Sequence, residues 1–308
     1  MTRVSLSMPP LTDVGPDRPA AAAVLQWIDR HRAALFALLA VLWLLAFSGR
    51  WRLGNDSTLY VSLARNLAAG RGYHAAGWPR GNSHIGLPLM LSWNFRAFGA
   101  ATLWPMLTAI FIMGAAAIVF TYRLLRFAVP RPQAVAATLL TGISFTFTEY
   151  LYELLNEIPS FLGMVAALAA FEALTAQRDS GPTRRARTAW ALVLIAGLAL
   201  AASLRPATWA LMLAMAAVLV WRTLRQPQLR RTALLLLPLI GVALLATWLF
   251  DPRHGGMAES HQEMLRRLLI EKPGQTLHTL WTTTLPQVFG PMTTRTVFTS
   301  GFGPGLST

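Results

Sequence analysis

Asp56, Glu157 and Arg205 are ionisable side chains at the edges of long apolar segments, where an unpaired charge is costly. A carboxylate in such a place can serve as a general base or as a metal ligand. Asp56 lies in Asn55-Asp56-Ser57-Thr58-Leu59-Tyr60. The same carboxylate also suits a plain cap, accepting the first amide hydrogens of a helix over 57–67. On that helix Tyr60, Ala64 and Leu67 share a face with Arg65 and Asn66 beside it, and Gly70, Gly72 and Tyr73 end it. The pattern is an amphipathic helix at a membrane interface, with Asp56 either its cap or a reactive group.

Glu149, Glu153 and Glu157 are spaced i, i+4, i+8, which predicts three acids on one helical face. Like charges at this spacing repel, so such a face meets water, a cation or an arginine. Glu157 is the deepest, directly before Ile158-Pro159, and is the informative member. Arg205-Pro206 sits in an almost loopless hairpin between apolar runs. Its guanidinium either snorkels to lipid headgroups or holds the phosphate of a lipid-linked substrate. His84, in Asn82-Ser83-His84-Ile85-Gly86, is a candidate polar member of the same outer cleft. The sequence contains no HExxH, no Walker motif and no GxGxxG before a strand, so zinc and nucleotide sites are not indicated. Zero cysteines exclude disulfides, thiolate metal sites and cysteine nucleophiles.

The elements that must hold these residues are apolar. The 308-residue chain is 54% hydrophobic and 13% charged, about half the charge of a soluble domain. An all-α polytopic bundle is predicted, with about seven spans near 33–47, 101–122, 134–147, 158–174, 188–204, 207–221 and 232–250. Residues 1–32 read as a polar cytoplasmic tail with an amphipathic stretch near 20–32 and no signal peptide. Residues 33–250 form the membrane module, including outer loop 50–100, and residues 251–308 form an extracytoplasmic tail with an amphipathic run at 264–270.

Net charge is +14, yet all 27 basic residues but Lys272 are arginines in short segments, which argues against nucleic acid as a partner. With the N-terminus cytoplasmic, about 63 inner residues carry 15 basic side chains and about 118 outer residues carry 12. That asymmetry fits the positive-inside rule, and eight of the thirteen acids fall on the outer side. Trp190 and Trp221 at inner ends, with Trp104 and Trp248 at outer ends, suit interfacial anchors. A bacterial inner-membrane protein with its chemistry on the outer face is the expectation.

The order Asp56, Tyr60, Ala64, Leu67, Gly70, Gly72, Tyr73 resembles the first outer loop of the GT-C membrane glycosyltransferases. The likeness is especially to the prokaryotic proteins similar to dolichyl-phosphate-mannose protein mannosyltransferase and the lipid A aminoarabinose transferase. Gly86-Leu87-Pro88 through Phe98-Gly99 resembles the juxtamembrane helix that follows, without the usual paired prolines. Glu157-Ile158-Pro159-Ser160 and Arg205-Pro206 resemble two later landmarks, so the likeness runs over about residues 33–250.

The resemblance implies transfer of a sugar from a polyprenyl-phosphate donor to a lipid, glycan or protein hydroxyl. It implies Asp56 as general base and Glu157 as a residue orienting Arg205 or the acceptor. Arg205 would bind the donor phosphate, with Tyr60, Arg65 and His84 as further substrate-binding candidates. Some such proteins use a divalent cation (Mg or Mn). A single loop-one carboxylate instead of an acidic doublet favours no tightly bound metal. Trp78, Trp93 and Tyr73 suit sugar stacking or the headgroup layer equally.

Only about 58 residues follow the seventh span, where such proteins usually carry further spans or a soluble domain. A truncated or accessory relative without catalysis therefore stands beside the enzyme. A lipid-linked sugar transporter is a third reading, although midplane charges and repeated halves are not visible.

Overall fold

The computed structural model describes residues 19–50, 55–75, 78–79, 85–176, 183–205 and 208–249. Among these residues the chain is helical, apart from a two-residue antiparallel pairing of β1 (His74–Ala75) with β2 (Trp78–Pro79). The helices are α1 (Pro19–Arg30), α2 (Arg32–Ala46), α3 (Asn55–Ala68), α4 (Gly86–Phe98), α5 (Trp104–Ala128) and α6 (Arg131–Ile143). They continue with α7 (Phe145–Leu151), α8 (Glu157–Thr175), α9 (Arg184–Leu204), α10 (Thr208–Arg225) and α11 (Arg230–Leu249). The predicted C-terminal run at 264–270, with the rest of 251–308, lies outside the described residues.

Five helices, α5, α8, α9, α10 and α11, are long and apolar enough to cross a membrane, and α6 with α7 makes a sixth as a bent pair. The protein is a polytopic helical bundle of five to six candidate spans. The first expected span, α2, has only 15 residues, about 22 Å of helix against the ~30 Å of a hydrocarbon core. Large side chains on the spans point outward, with Leu224 at 79% and Leu235 at 74% exposure. Water does not tolerate that surface, whereas lipid tails match it.

Three expectations are corrected by the helix boundaries. The third span, read as one run over 134–147, is broken at Ser144 by a 58° bend. Gly142 and Ser144 are the cause: Ser144 leaves the helical region (φ −59°, ψ 139°) and its Oγ caps α7 by accepting from Phe147 N. The Gly142 carbonyl near the break accepts from the Trp43 indole Nε1 at 3.1 Å. The acidic triplet does not share one helical face, because Glu149 lies in α7, Glu153 in the turn after it and Glu157 at the start of α8. Asp56 lies inside the first turn of α3, which starts at Asn55, so it faces the helix dipole without being the cap.

Two apolar clusters hold the bundle. One joins α2, α3, α4, α5, α7 and the start of α8 through Trp43, Leu91, Ile110, Leu151 and Ile158. The other joins α8 to α9, α10 and α11 through Phe171, Leu194, Leu198, Met212 and Ile240. Glycine sets the α8–α9 distance: a Cβ on Gly163 would stand 2.7 Å from Ala201 N and 2.8 Å from Gly197 O. At one end of the bundle Asp29 is clasped by Arg131 (2.7 Å), and Arg222 grips Glu172 (2.8 Å) and the Thr175 hydroxyl (2.8 Å).

Candidate functional site

The site forms at the other end, where α8 begins and α9 stops. Pro159 in the first turn of α8 is compatible with a helix start, since the early amide hydrogens have no intrahelical acceptor. Glu157 therefore projects from a helix N-terminus. Arg205 is the first residue past α9, in extended backbone, and its Nη2 donates to Glu157 Oε1. The pair is half-buried, at 42% exposure for Arg205 and 26% for Glu157.

The first-loop helix is tied to the same place. Tyr60, 8% exposed, accepts a 3.0 Å hydrogen bond from Asn156 Nδ2, and Asn156 is itself buried. Asn156 stands at the N-cap of α8, a favoured capping type, but its side chain makes no cap bond and turns to Tyr60 instead. Burial pushes the Tyr60 hydroxyl up to about 12; the charges of Asp56 and Glu157 add to that push and Arg205 opposes it. Tyr60 thus feels Asp56 from its own helix and the ion pair from the spans.

The scaffold of this corner is α3 against α4. Val61, Leu63 and Ala64 bury against Leu87, Leu91 and Phe95, and Arg96 Nη2 donates to Leu67 O at 2.9 Å. The expected interfacial face of α3, Tyr60 with Ala64, is buried in protein rather than laid on lipid. Gly70 (φ 71°) and Gly72 (φ 91°) end α3 in the left-handed region that favours glycine. Asn66 Nδ2 then holds the returning chain through His74 O at 2.6 Å. Gly86 at the start of α4 abuts α9, for a Cβ there would meet Ser203 O at 2.6 Å.

Beside the ion pair a cavity of about 270 Å³ opens in the bend between α6 and α7. Phe147, Tyr150 and Phe161 contribute its aromatic lining, and Glu157, Ser160 and Arg205 its polar end. Four buried oxygens in this region have no hydrogen-bond partner among the described residues: Asn156 Oδ1, Glu157 Oε2, Ser160 Oγ and Thr208 Oγ1.

Of the residues singled out by sequence, Tyr60, Glu157 and Arg205 are brought together, with Asp56 one turn from Tyr60. Arg65 turns to α4, its guanidinium 5.9 Å from the Phe95 ring centre. His84 and the Trp78 side chain lie outside the described residues. Asn156 and Ser160 were not singled out, although polar residues at 156, 157 and 160 opening an apolar helix were a visible signal. Among the described residues no three His, Cys, Asp or Glu side chains converge as metal ligands. One carboxylate with neutral oxygens is a poor donor set for a divalent cation.

No protein-family model, curated protein or solved structure matches the chain.

Proposed function

We propose that this protein is a membrane glycosyltransferase that moves a sugar from a polyprenyl-phosphate donor to a hydroxyl of a lipid, glycan or protein acceptor. The observation that carries the reading is the tie between the first-loop helix and the span ends. Asn156 holds Tyr60, and Glu157 holds Arg205, so a loop carboxylate and a span-end guanidinium share one corner of the bundle. Glycosyl transfer from a lipid phosphate needs that pair of groups: a base for the incoming hydroxyl and a cation for the departing phosphate.

In this reading α2 counts as the first of seven spans. The reading takes the membrane as a bacterial inner membrane, and the arginine asymmetry of the sequence supports an orientation with the Asp29 and Glu172 end cytoplasmic and the Glu157 end outside. Asp56 removes the acceptor's hydroxyl proton as the oxygen bonds to the anomeric carbon. The bond from that carbon to the phosphate oxygen breaks, its electron pair leaves with the lipid phosphate, and the anomeric configuration inverts. A guanidinium has five N–H donors, so the bond to Glu157 leaves Arg205 capacity for a phosphate oxygen. Glu157 is a positioning residue that fixes the guanidinium plane.

The test is sugar transfer by the protein in lipid nanodiscs. A panel of polyprenyl-phosphate sugars and extracted membrane acceptors is offered, and mass spectrometry follows donor loss and product gain. Wild type is expected to turn over, and Asp56→Asn at equal expression and thermal stability to lose about 10²–10⁴-fold. Absence of turnover with every donor overturns the enzyme and leaves an accessory protein. Turnover that survives Asp56→Asn overturns the base.

A further inference from the structure

We propose that the cavity in the α6–α7 bend is where the sugar ring of the donor is read, with the Ser160 hydroxyl and Glu157 Oε2 as its hydrogen-bonding ligands. The inference rests on the glycosyl-transfer reading and deepens it by naming a specificity-determining residue that the sequence does not flag.

Ser160 is the key. A hydroxyl inside a membrane helix ordinarily satisfies itself on the preceding turn. Thr121, Thr138 and Thr175 do so, donating to the carbonyls of Ala117, Ala134 and Phe171 at 2.7–2.8 Å. Ser160 is 1% exposed and lines the cavity, yet its Oγ has no partner, although Asn156 O lies one turn back and accepts Ser160 N at 2.9 Å. Buried polar atoms in native proteins nearly always have a partner, whether protein, water or ligand.

Of the two orphan oxygens whose residues line the cavity, Glu157 Oε2 is a pure acceptor and the Ser160 hydroxyl can donate or accept. A partner for the carboxylate oxygen must bring a hydrogen, which disfavours a phosphate at that position and fits a hydroxylated group. Arg205 already balances the Glu157 charge, so a neutral occupant is favoured over a cation. The walls agree: aromatic rings at Phe147, Tyr150 and Phe161 suit the C–H face of a sugar. At about 270 Å³ the space equals roughly nine waters at ~30 Å³ each, room for a monosaccharide ring. The phosphate then sits outside the cavity on the remaining donors of Arg205.

The experiment measures binding of farnesyl phosphate and of its glucosyl, mannosyl and arabinosyl phosphodiesters to the full chain in phosphatidylcholine nanodiscs. Wild type is expected to bind at least one sugar-bearing lipid tenfold or more tighter than farnesyl phosphate. Ser160→Ala should shrink that ratio three- to tenfold, and Ser160→Leu, which fills the space, should abolish it. In the ligand-free protein Ser160→Ala should raise the unfolding temperature, because it deletes a buried hydroxyl without a partner. No sugar preference in wild type, a ratio unmoved by Ser160→Ala, or a lowered unfolding temperature each overturns the assignment. A Ser160-dependent preference without any turnover keeps the pocket and sinks the transferase. Turnover with unaltered sugar choice in Ser160→Ala does the reverse.

Discussion

Replacing Tyr60 by Phe tests whether the first-loop helix is docked on the spans by one hydrogen bond. The hydroxyl of Tyr60 accepts from Asn156 Nδ2 at 3.0 Å, and the two residues are 8% and 5% exposed. Tyr60→Phe leaves that amide donor without a partner, beside an Oδ1 that already has none. An orphaned buried donor costs about 1–3 kcal/mol. Asn156→Val also removes the orphan Oδ1 but leaves the buried Tyr60 hydroxyl without its donor, so it too should cost about 1–3 kcal/mol. The double variant leaves neither group behind and should cost less than the sum of the singles, a coupling of about 1 kcal/mol between residues 96 apart in sequence. Thermal and denaturant unfolding of the four proteins in one detergent supplies the cycle. Transfer activity should fall further than stability, since a displacement of about 1 Å of a positioned group costs about 10²-fold in rate. A Tyr60→Phe protein as stable as wild type, with additive singles, refutes the docking and with it the delivery of Asp56 to the ion pair.

Glu157→Gln and Arg205→Gln should each destabilise by about 1–2 kcal/mol, between the values of exposed and buried pairs, and the charge-reversed double variant should recover stability but not transfer. Recovery of transfer in that variant would count against any phosphate role for Arg205. Gly163→Ala should cost about 1–3 kcal/mol by forcing α8 from the α9 backbone, read as a lowered unfolding temperature. The Tyr60 hydroxyl is held neutral, with a pKa raised from 10 to about 12, so its stabilising share is complete below pH 10 and is lost as pH rises towards 12. An unfolding titration over that window should show a fall that Tyr60→Phe lacks. The chain has no cysteine, so Ala100→Cys and Gln228→Cys, both at exposed positions, report sidedness directly. An impermeant maleimide on intact cells should label the first alone, and the opposite pattern inverts the orientation.

Hydropathy carries most of the architecture because the constraint is local: a helix that meets lipid must be apolar along its whole length. The segments at 158–174 and 188–204 reappear as α8 and α9 within a turn or so of their expected ends, apart from the earlier start of α9 at Arg184. The same averaging hides the break at Ser144, since a bent span keeps the hydropathy of a straight one. Glu149 and Glu153 were misplaced by a second interruption, the end of α7 at Leu151, where their helical spacing assumed a continuous helix through residues 149–157. Glu157 and Arg205 were legible singly, as charges too deep to be idle. Their pairing, the Tyr60–Asn156 bond and the orphan Ser160 hydroxyl depend on contacts 48 and 96 residues apart or on a cavity wall, which no local window contains.

The polar contacts also order the ends of the spans independently of any count of arginines. Asp29 with Arg131, and Glu172 with Arg222, join residues that the alternation of helices places at one end. Glu157 with Arg205, and Tyr60 with Asn156, join residues at the other. A reversed orientation would therefore carry Asp56, Tyr60, Glu157 and Arg205 across the membrane as a unit and leave their geometry intact. For the proposed transfer, what would change is the face on which a lipid-linked sugar has to be presented. The two ends also differ in kind. At the Asp29 and Glu172 end both acids are gripped bidentately by arginines, as fasteners are. At the Glu157 end one carboxylate oxygen is bonded and the other is left without a partner beside a cavity. An ion pair that only fastened two helices would gain from closing on both oxygens, so the half-made pair sets this end of the bundle apart from the other.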